Sequence, residues 1–315
     1  MAAPFAVWYG SPMPRPAATF AACALALAAP LAAQSDALPA EGELVAGGSD
    51  RHQRMTVPVH IEGQGPFHFL IDTGAQATVV TRALRDRLNL PTAGRATLVG
   101  MAARKQVELV QLDGLEFAAR VFDAIEAPLL EAQHVGADGI LGLDSLQDLR
   151  VLIDFRDHTI AVNDAAALGG DRGYEIVVRA RNKLGRLIIT NATVDGVKTA
   201  VIIDTGAQGS VGNLALRRRL RARERDQVTT TDVTGATLTG PLAYARTIEI
   251  DRMRLNGVPI AYADAPAFAA LGLADKPAMV LGMGDLRAFD RIAIDFAQRT
   301  VLFDLPPAAL RRTML

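Results

Sequence analysis

The chain has 315 residues, half of them hydrophobic, with a formal net charge of -1 and a pI near 6.5. That length accommodates about two domains, and the near-neutral balance lacks the basic surplus that marks a nucleic-acid binder. A single cysteine, Cys23, and five scattered histidines offer no disulfide framework, thiolate nucleophile or zinc spacing, so no cofactor or metal is implied.

From Met1 to Ala33 the only charged residue is Arg15. It precedes Ala17–Ala33, which is small, apolar and broken by Pro30, and the chain turns polar at Gln34. This order describes a secretory signal peptide over 1–33, cleaved near Ala33. The apolar run falls short of the roughly 20 residues of a membrane helix, so no stable span is expected after cleavage. The expected compartment is a bacterial periplasm. Residues 34–50 are a polar, glycine-containing lead, read as a flexible N-terminal segment.

Beyond it the sequence repeats itself. Met55–Ile71 reads strand, glycine-containing turn, strand. It runs into Asp72-Thr73-Gly74-Ala75-Gln76, then into an arginine-rich segment of helical spacing that starts at Thr81, an N-cap residue type. A β-rich middle follows, then Gly139-Ile140-Leu141-Gly142, a short helix and a closing strand. Asn163–Gly173 is small, flexible and polar, and marks a boundary. After it the order recurs. Leu187–Ile203 is again a hairpin, Asp204-Thr205-Gly206-Ala207-Gln208 ends it, and Asn213 stands where Thr81 stood. Val280-Leu281-Gly282 matches Ile140-Leu141-Gly142. The two Asp-Thr-Gly copies are 132 residues apart. Two lobes follow, at 51–165 and 174–308, both mainly β with short helices. Arg217–Arg225 reads as the solvated face of one helix rather than a nucleic-acid patch.

Two carboxylates held together cannot both ionise easily, so the pair presents a base and an acid at once. A water between them can be deprotonated by one while the other protonates a scissile carbonyl oxygen. A duplicated lobe supplies two such aspartates, Asp72 and Asp204, related by a two-fold axis. Gly74 and Gly206 let the loops approach closely, and Thr73 and Thr205 can hydrogen-bond across the axis.

This constellation resembles the retropepsin-like aspartic peptidases, and the resemblance covers both lobes. It implies two β-barrel lobes with the active site in a cleft between them, on the fused plan of the pepsins with short retropepsin-type lobes. Asp72 and Asp204 would be catalytic, with Thr73, Gly74, Ala75, Thr205, Gly206 and Ala207 supporting their loops. Ile140-Leu141-Gly142 and Val280-Leu281-Gly282 would pack beneath them to complete ψ-shaped crossings. The substrate would be an extended polypeptide, held under flap hairpins at Leu98–Leu109 and Val233–Leu242, with Gly100 and Gly235 near the tips. Neither segment carries the tyrosine of pepsin-type flaps. Ala75 and Ala207 stand where acid-acting members carry Ser or Thr; without that hydroxyl the dyad is expected to work nearer neutral pH.

The reading is an aspartic endopeptidase acting as a monomeric pseudo-dimer. Two alternatives stay open: a non-catalytic peptide-binding protein of the same fold, and a dimer in which each lobe pairs with its twin in another copy.

Overall fold

The computed structural model describes residues 55–220 and 226–306, with the backbone of four short strands ahead of them: Ala2–Ala3, Val7–Tyr9, Leu44–Ala46 and Gly48–Ser49. The leader read over 1–33 otherwise lies outside the described residues. The end of the 34–50 lead joins the sheets: Leu44–Ala46 pairs with Thr159–Asn163, and Gly48–Ser49 with Met55–Ile61.

The chain is mainly β and forms two lobes of matching design. In lobe one, Met55–Ile61 and Gln64–Ile71 form an antiparallel hairpin. Phe67 and Phe69 point inward and His68 outward, as period-two alternation requires. The alternation stops at Leu70 and Ile71, both buried. Here Gly139–Leu141 runs parallel to Phe69–Ile71 and antiparallel to Val79–Val80, which makes the ψ crossing and covers both faces. Lobe two repeats the arrangement, with Ala278–Gly282 parallel to Ala200–Asp204 and antiparallel to Val211–Gly212.

The helices after the motifs start as their sequences dictate. The Thr81 hydroxyl accepts from Leu84 N at 3.3 Å, opening Arg82–Leu88. Asn213 Oδ1 accepts from Leu216 N at 2.8 Å, opening Leu214–Leu220. Each cap satisfies an N–H that has no partner within its helix.

A third sheet joins the lobes. Arg150–Asp154 (RVLID) pairs antiparallel with Arg291–Asp295 (RIAID), in a register centred on Leu152 opposite Ala293. Repeat-equivalent strands are thus neighbours, and the pseudo-two-fold passes between them. The register sets Arg150 against Asp295, whose carboxylate accepts from Nε at 2.9 Å with both side chains almost wholly buried. A buried cation of this kind persists only with a well-placed counter-charge. One large apolar core runs through both lobes, holding Phe67, Phe69, Leu141 and Val151 with Ile203, Leu281, Ile294 and Phe303.

Two smaller cores explain how the top of the molecule closes. The hairpin Thr92–Val99/Arg104–Leu112 belongs to lobe one, yet Val99 and Met101 at its tip pack with Ile202, Phe268 and Val280 of lobe two. Reciprocally Val233, in the turn of the lobe-two hairpin Asp226–Asp232/Thr237–Ile250, packs with Leu70, Val79 and Ile140 of lobe one. Each hairpin therefore reaches over the pseudo-two-fold into the opposite lobe.

Candidate active site

Asp72 follows the strand Gln64–Ile71, and Asp204 is the last residue of Val197–Asp204. The structure brings the two together at the centre of the molecule, both fully buried. A Cβ on Gly74 would fall 2.4 Å from Asp204 Oδ2, and one on Gly206 would fall 2.4 Å from Asp72 Oδ2. Each carboxylate thus rests against the other lobe's loop at a distance that only glycine permits.

The threonines bind the loops across the axis. Thr73 N donates to Thr205 Oγ1 at 3.1 Å and Thr205 N to Thr73 Oγ1 at 3.2 Å. The hydroxyls then donate to the opposite strands, Thr73 Oγ1 to Ile203 O at 2.9 Å and Thr205 Oγ1 to Ile71 O at 2.7 Å. Four reciprocal bonds between two loops fix the separation of the aspartates.

Within each loop the backbone receives the carboxylate. Asp72 Oδ1 accepts from Gly74 N at 2.8 Å and Ala75 N at 3.0 Å. Asp204 Oδ1 accepts from Gly206 N at 2.9 Å and Ala207 N at 3.0 Å. These donors favour charge, but burial and then the neighbouring Asp72 carboxylate outweigh them. They push the Asp204 carboxyl well above its ordinary value. Two carboxylates held this close resist ionising together, so the pair favours a single negative charge.

Ile140-Leu141-Gly142 and Val280-Leu281-Gly282 lie beneath the loops. Leu143 N donates to Ala75 O at 2.9 Å, and Met283 N to Ala207 O at 2.7 Å. Ala75 and Ala207 are buried with no side-chain polar atom to offer the dyad. Gly100 opens the turn of the lobe-one hairpin, with its N–H on Ala103 O at 2.8 Å. Gly235 occupies the lobe-two turn at a φ of +83°.

Three supports escape a reading of the sequence. Thr78 Oγ1 donates to the Asp144 carboxylate at 2.7 Å and accepts from Gly142 N at 3.2 Å. Ser210 does the same in lobe two, with Asp285 and with Gly282 N. The alignment of Thr78 with Ser210 is the signal that points to them. Arg186, fully buried, reaches from lobe two and donates through Nε to Gly74 O at 2.8 Å. That carbonyl belongs to the peptide whose N–H, on Ala75, donates to Asp72. A guanidinium on the oxygen strengthens the N–H on the far side of the same peptide. No pattern in the sequence marks Arg186, because its partner is a backbone atom 112 residues away.

Two lobes, each ending a buried strand in Asp-Thr-Gly at a shared axis, define the aspartic protease class. Comparison with family models agrees lobe by lobe. Residues 57–148 match the gag-polyprotein putative aspartyl protease family, and residues 190–284 match the aspartyl protease family. The chain thus carries two aspartyl protease domains in tandem, consistent with a retropepsin-like aspartic peptidase of two lobes. No match is found among curated proteins.

Proposed function

We propose that this protein is an aspartic endopeptidase in which Asp72 and Asp204 form one composite dyad. The observation that carries the reading is the pairing itself: two buried carboxylates, each against the other loop's glycine, with Asp204 inclined to hold a proton. A water between them loses a proton to the ionised Asp72 as its oxygen bonds to the scissile carbonyl carbon. Asp204 delivers its proton to the carbonyl oxygen. Collapse of the tetrahedral intermediate breaks the C–N bond, and the amine leaves with a proton from the dyad. The fixed threonine network holds both groups in position, so little reorganisation accompanies the step.

An extended polypeptide is the substrate. Val7–Tyr9 pairs antiparallel with Thr97–Val99, and Ala2–Ala3 pairs parallel with Thr231–Asp232. Each hairpin therefore has an edge that takes an extended segment by strand addition. Export by the N-terminal leader, with action in a periplasm, completes the proposal; fractionation of producing cells and N-terminal sequencing of the product test it.

The direct test is cleavage of an unfolded protein such as casein between pH 3 and 8 by the chain from Gln34. Asp72→Asn and Asp204→Asn run beside it. Loss of cleavage in both variants supports one composite dyad. Substantial activity in either points to sites formed by twin lobes of two copies, and no cleavage by the parent points to a peptide-binding relative.

A further inference from the structure

Strand Val197–Asp204 has two faces with different fates. Val201 and Ile203 enter the large shared core. Ile202 packs with the lobe-one hairpin tip residues Val99 and Met101, and Ala200 lies against the same cluster. The second face therefore runs outward from Asp204 beneath the hairpin that crosses from lobe one. Followed outward, it opens into a cavity of about 470 Å³ with Ile188, Ala200, Leu273 and Pro277 in its walls.

Four cations stand around that cavity, Arg181, Lys183, Lys198 and Lys276, and no acidic side chain among the described residues lines it. They come from Arg181–Lys183 and Val197–Asp204, the two strands that flank Arg186–Val194 in one sheet, and from the segment that leads into Ala278–Gly282. None forms an ion pair with an acidic side chain among the described residues. The repeat does not produce this feature twice: Lys198 and Lys276 correspond to Pro66 and Gly136 in lobe one. Among the described residues, the lobe-one positions that match Lys198 and Lys276 carry no charge, in a chain of nearly balanced charge.

We propose that this cavity is a subsite for acidic side chains of the bound polypeptide. It would make the enzyme prefer substrates with Asp or Glu on one side of the scissile bond and set the direction in which they lie. Ala200 is four residues before Asp204, and strand rise places it about 13 Å away. An extended peptide covers that span with about three to five residues. The apolar walls take the stem of a Glu, and the ammonium and guanidinium groups meet its carboxylate. Such contacts are screened by salt over about 8 Å at physiological ionic strength, and they favour selection and encounter over raw affinity.

The proposal rests on the peptidase reading for its biological use, but its test does not. The full chain carrying Asp204→Asn, which binds without cleaving, is titrated with fluorescein-labelled extended peptides at low and high salt. The peptides are amidated and identical except for Glu or Gln three to five residues from the centre. We expect the Glu peptide to bind about tenfold tighter at low salt. The advantage should fall to about twofold or less at high salt, or when Lys198→Glu and Lys276→Glu are added. The Gln peptide should bind the charge-reversed protein unchanged, and the melting temperature should hold. Equal binding of both peptides, an advantage that survives charge reversal, or no binding of any peptide would overturn the subsite. So would equally tight binding of a Gln peptide with a free C-terminal carboxylate, which would assign the cavity to a chain end. In parallel, mass spectrometry of products from the parent chain locates cuts relative to Glu. Glu-selective binding without any cleavage would sink the peptidase reading and leave the subsite standing.

Discussion

Gly100 and Asp232 occupy the same position of the repeat, and they meet across the pseudo-two-fold. A Cβ on Gly100 would lie 2.2 Å from Asp232 Oδ2. That oxygen accepts from Ala102 N at 3.0 Å, while Oδ1 accepts from Thr234 N at 2.9 Å and so shapes its own turn. Lys105 Nζ adds a bond to Thr234 O at 2.9 Å. One position thus carries a carboxylate in one hairpin and the space for it in the other. Pairing of twin lobes from two copies would set glycine against glycine, or carboxylate against carboxylate. The divergence favours closure within one chain.

Gly100→Asp should therefore be more harmful than an ordinary surface change. It opposes two carboxylates where one fits, and overpacking alone costs about 1–3 kcal/mol. A drop of about tenfold in kcat/KM is expected, with the pH profile retaining its shape. Adding Asp232→Gly should recover part of the loss, because it restores one carboxylate and one vacancy. Steady-state kinetics on the two single variants and the double decides this; a double variant worse than both singles would contradict it.

The protonation preference of Asp204 makes stability depend on pH. Its folded pKa lies above its ordinary value of 3.8, so the folded state holds a proton that the unfolded chain has released. Stability contributed by this group is full below the unfolded value and is lost as pH rises through the folded one. Asp204→Asn removes the titration. Thermal melts should show the variant more stable than the parent at pH 7, with the difference closing toward pH 4.

The alanines after the Asp-Thr-Gly triplets predict an optimum above about pH 4. Ala75→Ser or Ala207→Ser would offer the ionised dyad a hydroxyl donor at a buried position. The acid limb of kcat/KM against pH should move down by about half a unit or more in at least one of them. An unchanged limb in both would remove the alanine argument.

Arg186→Gln tests the support behind Asp72. Glutamine can still donate to Gly74 O but brings no charge. The acid limb should shift upward, since a weaker Ala75 N–H favours the charged carboxylate less. Arg186→Lys should restore part of the shift but not all, because a lysine cannot reproduce the planar fork. A pH profile identical to the parent in both variants would reduce Arg186 to a packing residue.

Much of this site is legible in the sequence. The repeated Asp-Thr-Gly, the apolar-apolar-Gly segments and the hairpins are local patterns. Burial of Phe69–Ile71 and Val201–Ile203 follows from their composition, and so does capping by Thr81 and Asn213. What the sequence determined was thus the unit and its duplication, since a repeat forces the same local solution twice and brings two aspartates to one axis. Tertiary structure alone decided how the copies differ. The pairing of RVLID with RIAID, the meeting of Gly100 with Asp232, the reach of Arg186 to Gly74 and the cationic end of lobe two all join residues far apart in the chain. Contacts of that range leave no periodicity behind, because a single lysine or glycine reads the same whether its partner is solvent or the opposite lobe.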